Sequence, residues 1–301
     1  GSSRRSLARA LTGVPDGRVV IVHVDDVGMC HGANVAFLEL ARSGGVTCGS
    51  VMVPCPWFRE IADAAAADRT LDLGVHLTLT SEWPQYRWGP LTTVSRASGL
   101  VDEQGYFPRN CLELRPRLVV EAAEVEFRAQ IDRALAAGID VTHLDTHMGA
   151  AVVPELVGVY VRLGREYRLP VVLPRELDSY TGVLRMGEIP PGIHEAVVAA
   201  LDAAGLPVID RFRMTPGVPS ADVDAQYRTM IDTLPPGVTF FAVHCNAPGD
   251  IETIVPPRAH WRTDEYRLFD SGRPARWIAD AGIRAVGMRA VRELWRSALA
   301  A

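Results

Sequence analysis

No Cys-x-x-Cys pair, no apolar run long enough to cross a bilayer and no excess of positive charge occur in this chain. The five cysteines (Cys30, Cys48, Cys55, Cys111 and Cys245) are odd in number and scattered. That argues against a disulfide framework and a zinc ribbon, and predicts free, buried thiols in a reducing compartment. No stretch approaches the roughly 18 apolar residues of a membrane span. Lys+Arg 31 against Asp+Glu 36 leaves a formal net charge of -5, with no basic footprint for nucleic acid or an anionic membrane. GxGxxG does not follow the first apolar strand and GxxxxGKS/T is absent, so dinucleotide and P-loop readings lose their main support. HExxH is also absent, which removes the zincin metalloproteases. The N-terminus is basic but lacks the sustained apolar core of a signal peptide, so a cytoplasmic protein is expected.

What is present is a strand–helix rhythm over 301 residues, 48% of them hydrophobic. The segment RVVIVHV (18–24) is a continuous β-branched run, as for a strand buried on both faces. Further strands are predicted at 46–53, 71–79, 139–146, 169–174, 207–210, 237–244 and 283–286. Helices are predicted at 32–42, 57–67, 117–137, 153–167, 192–205, 221–234, 273–281 and after 286. Residues 81–115 carry Trp83, Tyr86, Trp88 and many Gly and Pro, and read as a long excursion that contributes a lid or binding loop. Alternation of this kind implies a parallel sheet, and this many units in one chain favours a single-domain distorted (β/α) barrel over an open sheet. Residues 1–17 read as an N-terminal tail, with Gly1-Ser2-Ser3 resembling a tag remnant, and 18–301 as the barrel domain.

The polar residues suited to chemistry stand at strand C-terminal ends, which share one face in a βα barrel. Asp25-Asp26 follow the first strand. Two adjacent carboxylates repel, and a cation relieves that repulsion; a helix N-cap would explain one of them more easily than both. His76 lies in GVHLTLT (74–80), where a satisfied core histidine is the competing reading. In THLDTHMG (142–149), residues 143, 145 and 147 point to one side of an extended strand and offer two imidazoles with a carboxylate able to orient a ring. His244 ends another buried strand and could be a fourth ligand, a general acid or a structural residue; the acid role is favoured. An Asp–His–His set leaves coordination positions open for water and substrate, as in a catalytic site. Zinc suits these ligands best; magnesium, cobalt, nickel or iron would also accept them.

With HVDDVGMCHGAN (23–34), GVHLTLT, HLDTH (143–147) and a late strand ending in histidine in this order, the chain resembles the YdjC family of carbohydrate deacetylases, the ChbG/HpnK group, over roughly residues 18–290. The resemblance implies a distorted βα barrel. It also implies Asp25 as general base, and Asp26, His76 and His147 as ligands of one divalent metal. His244 falls where the family carries a histidine often followed by proline, Asn34 matches an asparagine after the paired aspartates, and Arg175 resembles an arginine after the fifth strand, a candidate for binding substrate. Two departures are visible. Met148-Gly149 stand where many members continue with further histidines, and Cys245-Asn246 follow His244.

The expected activity is metal-dependent removal of an N-acetyl group from an amino sugar or N-acetylated glycoconjugate. His244 would protonate the leaving amine, and Trp83 and Trp88, with Tyr86, would line a sugar platform. Hydrolysis of another amide or ester, or sugar binding without catalysis, are the competing readings. The expected partner is an N-acetylated sugar, not nucleic acid or membrane; a homodimer is compatible with the sequence.

Overall fold

The computed structural model describes residues 6–301; Gly1-Ser2-Ser3 lie outside the described residues. Seven parallel strands form the centre: β1 (Arg18–Val27), β2 (Cys48–Val51), β3 (Leu73–Leu77), β4 (Val141–Thr146), β5 (Arg211–Met214), β6 (Gly237–Val243) and β7 (Arg284–Ala285). Their order is β4-β3-β2-β1-β6-β5, with β7 beside Val19 and Val20 of β1. Val19 to Val22 and Val24 are buried, as a strand covered on both faces requires.

The ring closes irregularly between β4 and β5. The expected strand at 169–174 is reduced to one bridge, Leu144 to Val171, because Pro170 and Pro174 have no N–H to give to a ladder. Leu144 N donates to Pro170 O and Val172 N to Leu144 O, while the Tyr160 hydroxyl fills the seam, 2.9 Å from both Leu144 O and Val172 O and able to donate to either. Arg175 N then donates to Ile209 O, and Asp210 N to Val238 O, carrying the wall round to β6. The strand expected at 207–210 therefore begins later, at Arg211. The fold is an α/β parallel sheet curved into a distorted barrel.

Part of the N-terminal tail is helical. Leu7–Thr12 is a helix capped by Ser6 and ended by Gly13 at φ 79°, and its Leu7 and Ala8 are buried against the core. A helix not expected from the sequence, Ala259–Asp270, packs beside the barrel mouth. All five cysteines are free and buried. Among the described residues no helix is long and apolar enough to cross a membrane.

Candidate active site

Successive side chains on a regular strand point to opposite faces, so adjacent aspartates should not both reach one cavity. Here they do, because β1 bulges: Val24 pairs with Gly49 but Val27 with Val51, leaving one extra residue in β1. Asp26 takes the left-handed conformation at φ 61° to make the turn. Such a backbone costs a non-glycine residue about 1–3 kcal/mol and persists where the surroundings over-determine it. Those surroundings include Gly28 at φ 86°, whose N–H donates to Asn34 Oδ1 at 2.7 Å, and Asn34 Nδ2 donates on to Trp57 O and Glu60. Asn34 thus holds the loop and does not touch the cavity.

Asp25 and Asp26 line a cavity of about 260 Å³ at the C-terminal ends of the strands, together with His76, His147, His244 and Trp83. Asp26 Oδ1 lies 3.2 Å from His76 Nε2 and 3.1 Å from His147 Nδ1, and Asp26 Oδ2 lies 2.8 Å from Arg262 Nη1. Burial opposes ionisation of Asp26, yet His147 and Arg262 hold its carboxyl well below the usual range. Burial likewise opposes charge on His147, but Glu82 and Asp26 outweigh it and raise the imidazole to about 9. His76 is raised in the same way, with Asp145 the chief opposing charge. Each imidazole is oriented through its other nitrogen. His76 Nδ1 meets Asp145 Oδ1 at 2.9 Å and Ser50 Oγ at 3.0 Å, and His147 Nε2 meets Glu82 Oε2 at 2.8 Å.

The donor chemistry fits one divalent cation. Ligands bound at 2.0–2.1 Å in a tetrahedral site stand about 3.3 Å apart, close to the 3.1 and 3.2 Å found from Asp26 Oδ1 to the two imidazole nitrogens. Among the described residues two other His/Asp groups are close enough to hold an ion. In one, His23 and His143 are already engaged with each other, Nε2 to Nε2 at 2.8 Å, deep in the barrel. In the other, Asp25 and Asp145 stand on opposite nitrogens of His76.

Asp25 remains beside this centre with one oxygen toward the cavity. Its Oδ1 accepts from His23 Nδ1 at 2.7 Å, and its Oδ2 is 3.7 Å from His244 Nε2. His23 is the top of a buried line that continues through His143 and Thr142 to Asp72 at the opposite end of the barrel. Burial, reinforced by the nearby His23, pushes His143 down to about 3, so that ring is neutral. His244 is also lowered by burial, against the pull of Asp25.

The sequence expectations separate here. Asp25, Asp26, His76, His147 and His244 come together, and Trp83 lines the cavity with Arg262 over its ring at 5.7 Å. Trp88 does not face the cavity: it is buried, donates from Nε1 to Thr80 O, and packs its ring edge-on behind His147. Tyr86 turns its hydroxyl to Met29 O. Arg175 is directed away into a two-pronged pair with Asp202 at 2.8 and 2.9 Å, because its backbone belongs to the seam that joins β4 to β5. His143, expected as a potential ligand, faces His23 instead. Three site residues had not been anticipated. Glu82 follows the GVHLTLT strand with no motif to mark it. Arg262 and Glu265 sit three apart on the helix Ala259–Asp270, a spacing that shares one face with Leu268 and Phe269, and that periodicity is the signal that could have found them.

A family model described as "YdjC-like protein" matches residues 19–280. A carbohydrate deacetylase of Thermus thermophilus is 36% identical over 276 residues, 92% of this chain and 94% of the relative. A carbohydrate deacetylase of Brevibacillus brevis is 35% identical over 155 residues, 52% of this chain and 59% of the relative. Among solved structures, an Enterococcus faecalis protein described as a cellobiose-phosphate cleavage protein superposes with TM-score 0.70 at 22% identity, covering 90% of this chain and 98% of that one, which speaks to the fold. With the bulged Asp25-Asp26, His76, and Asp145 and His147 of the strand-ending HLDTH in one cavity, and the match running through all of them, the chain belongs to the YdjC-like family.

Proposed function

We propose that this protein is a metal-dependent hydrolase that removes an N-acetyl group from an amino sugar. The observation that carries the reading is the convergence of Asp26 Oδ1, His76 Nε2 and His147 Nδ1 next to an Asp25–His244 pair separated by 3.7 Å. The relatives named carbohydrate deacetylase support a sugar substrate. Asp26, His76 and His147 would hold the metal, zinc being the best match to two imidazoles and a carboxylate. When bound, a divalent ion polarises a carbonyl and makes water a better nucleophile.

The chain's own groups divide the proton work. Asp25 Oδ2 takes a proton from the attacking water, and His23 Nδ1 on Oδ1 keeps the carboxylate aimed. As the C–N bond breaks, His244 Nε2 gives a proton to the nitrogen, so that acetate and a free amine leave. Arg262, paired with Asp26, keeps positive charge beside the reacting carbonyl. Trp83 offers a flat face to the sugar, and Met148, Val172 and Leu184 exclude water from the opposite side.

Zinc-loaded protein should release acetate from at least one member of a panel of N-acetylated mono-, di- and oligosaccharides. Asp25→Asn should lower kcat by about 10²–10⁴-fold, the usual worth of a positioned acid or base. Turnover of simple esters or non-sugar amides with no acetate from any sugar would replace this reading with a different hydrolase. Full activity of Asp25→Asn would remove Asp25 from the base role.

A further inference from the structure

His244 is held on the side away from Asp25 by a buried group that the proposed reaction does not use. Its Nδ1 lies 2.8 Å from Thr215 Oγ1, and the same Oγ1 lies 2.8 Å from Glu265 Oε2. Glu265 is fully buried on the helix Ala259–Asp270. Its two oxygens meet three donors: the backbone N–H of His244 on Oε1, and the hydroxyls of Thr215 and Tyr227 on Oε2.

Counting hydrogens fixes the direction of this chain. A backbone N–H only donates, and an ionised carboxylate only accepts. The single hydroxyl hydrogen of Thr215 is directed to Glu265, so Thr215 Oγ1 presents lone pairs to His244 Nδ1. That nitrogen must therefore carry the hydrogen. Whether the ring is neutral or protonated, the nitrogen that gains and loses a proton is Nε2, the one facing Asp25.

We propose that Thr215 and Glu265 are positioning residues that hold His244 in its Nδ1–H form and aim Nε2 at the reacting centre. The assignment rests on the reading of His244 as proton donor. Its consequence is a closed proton cycle. One proton passes from water to Asp25, from Asp25 Oδ2 to the free Nε2 of His244, and from Nε2 to the leaving nitrogen, so both groups end the turnover as they began it without a third residue.

Zinc-loaded protein labelled with ¹⁵N-histidine tests this by NMR at pH 8, where Glu265, pushed by burial to about 7, is mostly ionised. The wild type should show His244 as the Nδ1–H tautomer. Thr215→Val should lose that preference and lower kcat about 10- to 100-fold, part of what a general acid supplies, with KM little changed. Thr215→Ser should recover both. Glu265→Gln, which offers Thr215 an N–H in place of an acceptor, should turn the hydroxyl round and produce the Nε2–H form. A wild-type Nε2–H tautomer, or Thr215→Val with tautomer and kcat unaltered, overturns the proposal. The predicted tautomers without acetate release from any sugar would instead defeat the deacetylase reading and leave the positioning intact.

Discussion

The two walls of the cavity are built on different principles. The wall from β1, β3 and β4 is polar, and nearly every group on it has a second partner: His76 has Asp145 and Ser50, His147 has Glu82, Asp26 has Arg262, Asp25 has His23. The wall from β5, β6 and the segment after β4 is largely apolar. There Phe212 lies between Tyr180 and Phe240, at ring separations of 4.7 and 6.1 Å, and Phe240 touches the His23 ring at 4.5 Å. Polar groups buried in one place must satisfy one another, because each unpaired one costs about 1–3 kcal/mol. Apolar groups need only fill space. In the proposed reaction the first wall supplies the metal ligands and the base, the second supplies His244 at its rim and otherwise stability, and the two should fail in different ways.

The largest effect should follow from breaking the polar wall at a proposed ligand. His76→Ala should lose zinc on dialysis, read by metal analysis, and lose acetate release by more than about 100-fold, beyond what loss of an orienting partner costs. Its circular dichroism should stay native. Retention of one zinc per chain would move the metal centre elsewhere. Next, Phe240→Ala removes a fully buried ring from the apolar wall. It should cost about 3–5 kcal/mol in denaturant unfolding while the folded fraction still binds zinc. Equal losses of stability and zinc affinity would show that the walls are not separable. The smallest effect should come from Asp145→Asn, which keeps the shape but weakens the grip on His76 Nδ1. It should reduce zinc affinity about 10- to 100-fold in a chelator competition, with unfolding little altered.

The sequence disclosed the polar wall more fully than the apolar one. Asp25-Asp26, His76 and His147 end or interrupt apolar strands, where a polar residue stands out. The aromatic members of the other wall look like any core residues, and nothing in their spacing says that Phe212 and Phe240 belong to a cavity. The errors have local causes. Arg175 matched a family position, but the Pro-flanked seam at 170–174 turned it toward Asp202. Trp88 is aromatic and lies in a loop, yet its indole N–H found Thr80 O and the ring was drawn inside. Arg262 and Glu265 escaped because charged residues cover much of the helix that carries them and mask the period they share with Leu268 and Phe269.

By itself the sequence determined the parallel α/β architecture and singled out the polar strand-end residues Asp25, Asp26, His76, His147 and His244, since β-branched runs and polar strand ends are properties of short segments. Tertiary structure decided what each group touches. The bulge at Asp26 brings two neighbouring carboxylates into one cavity where a regular strand would part them. The partners Glu82, Arg262 and Glu265 arrive from a loop and a helix that no local pattern links to the strands. A hydrogen bond across the barrel depends on how distant segments pack, and only closure of the ring brings those atoms within reach.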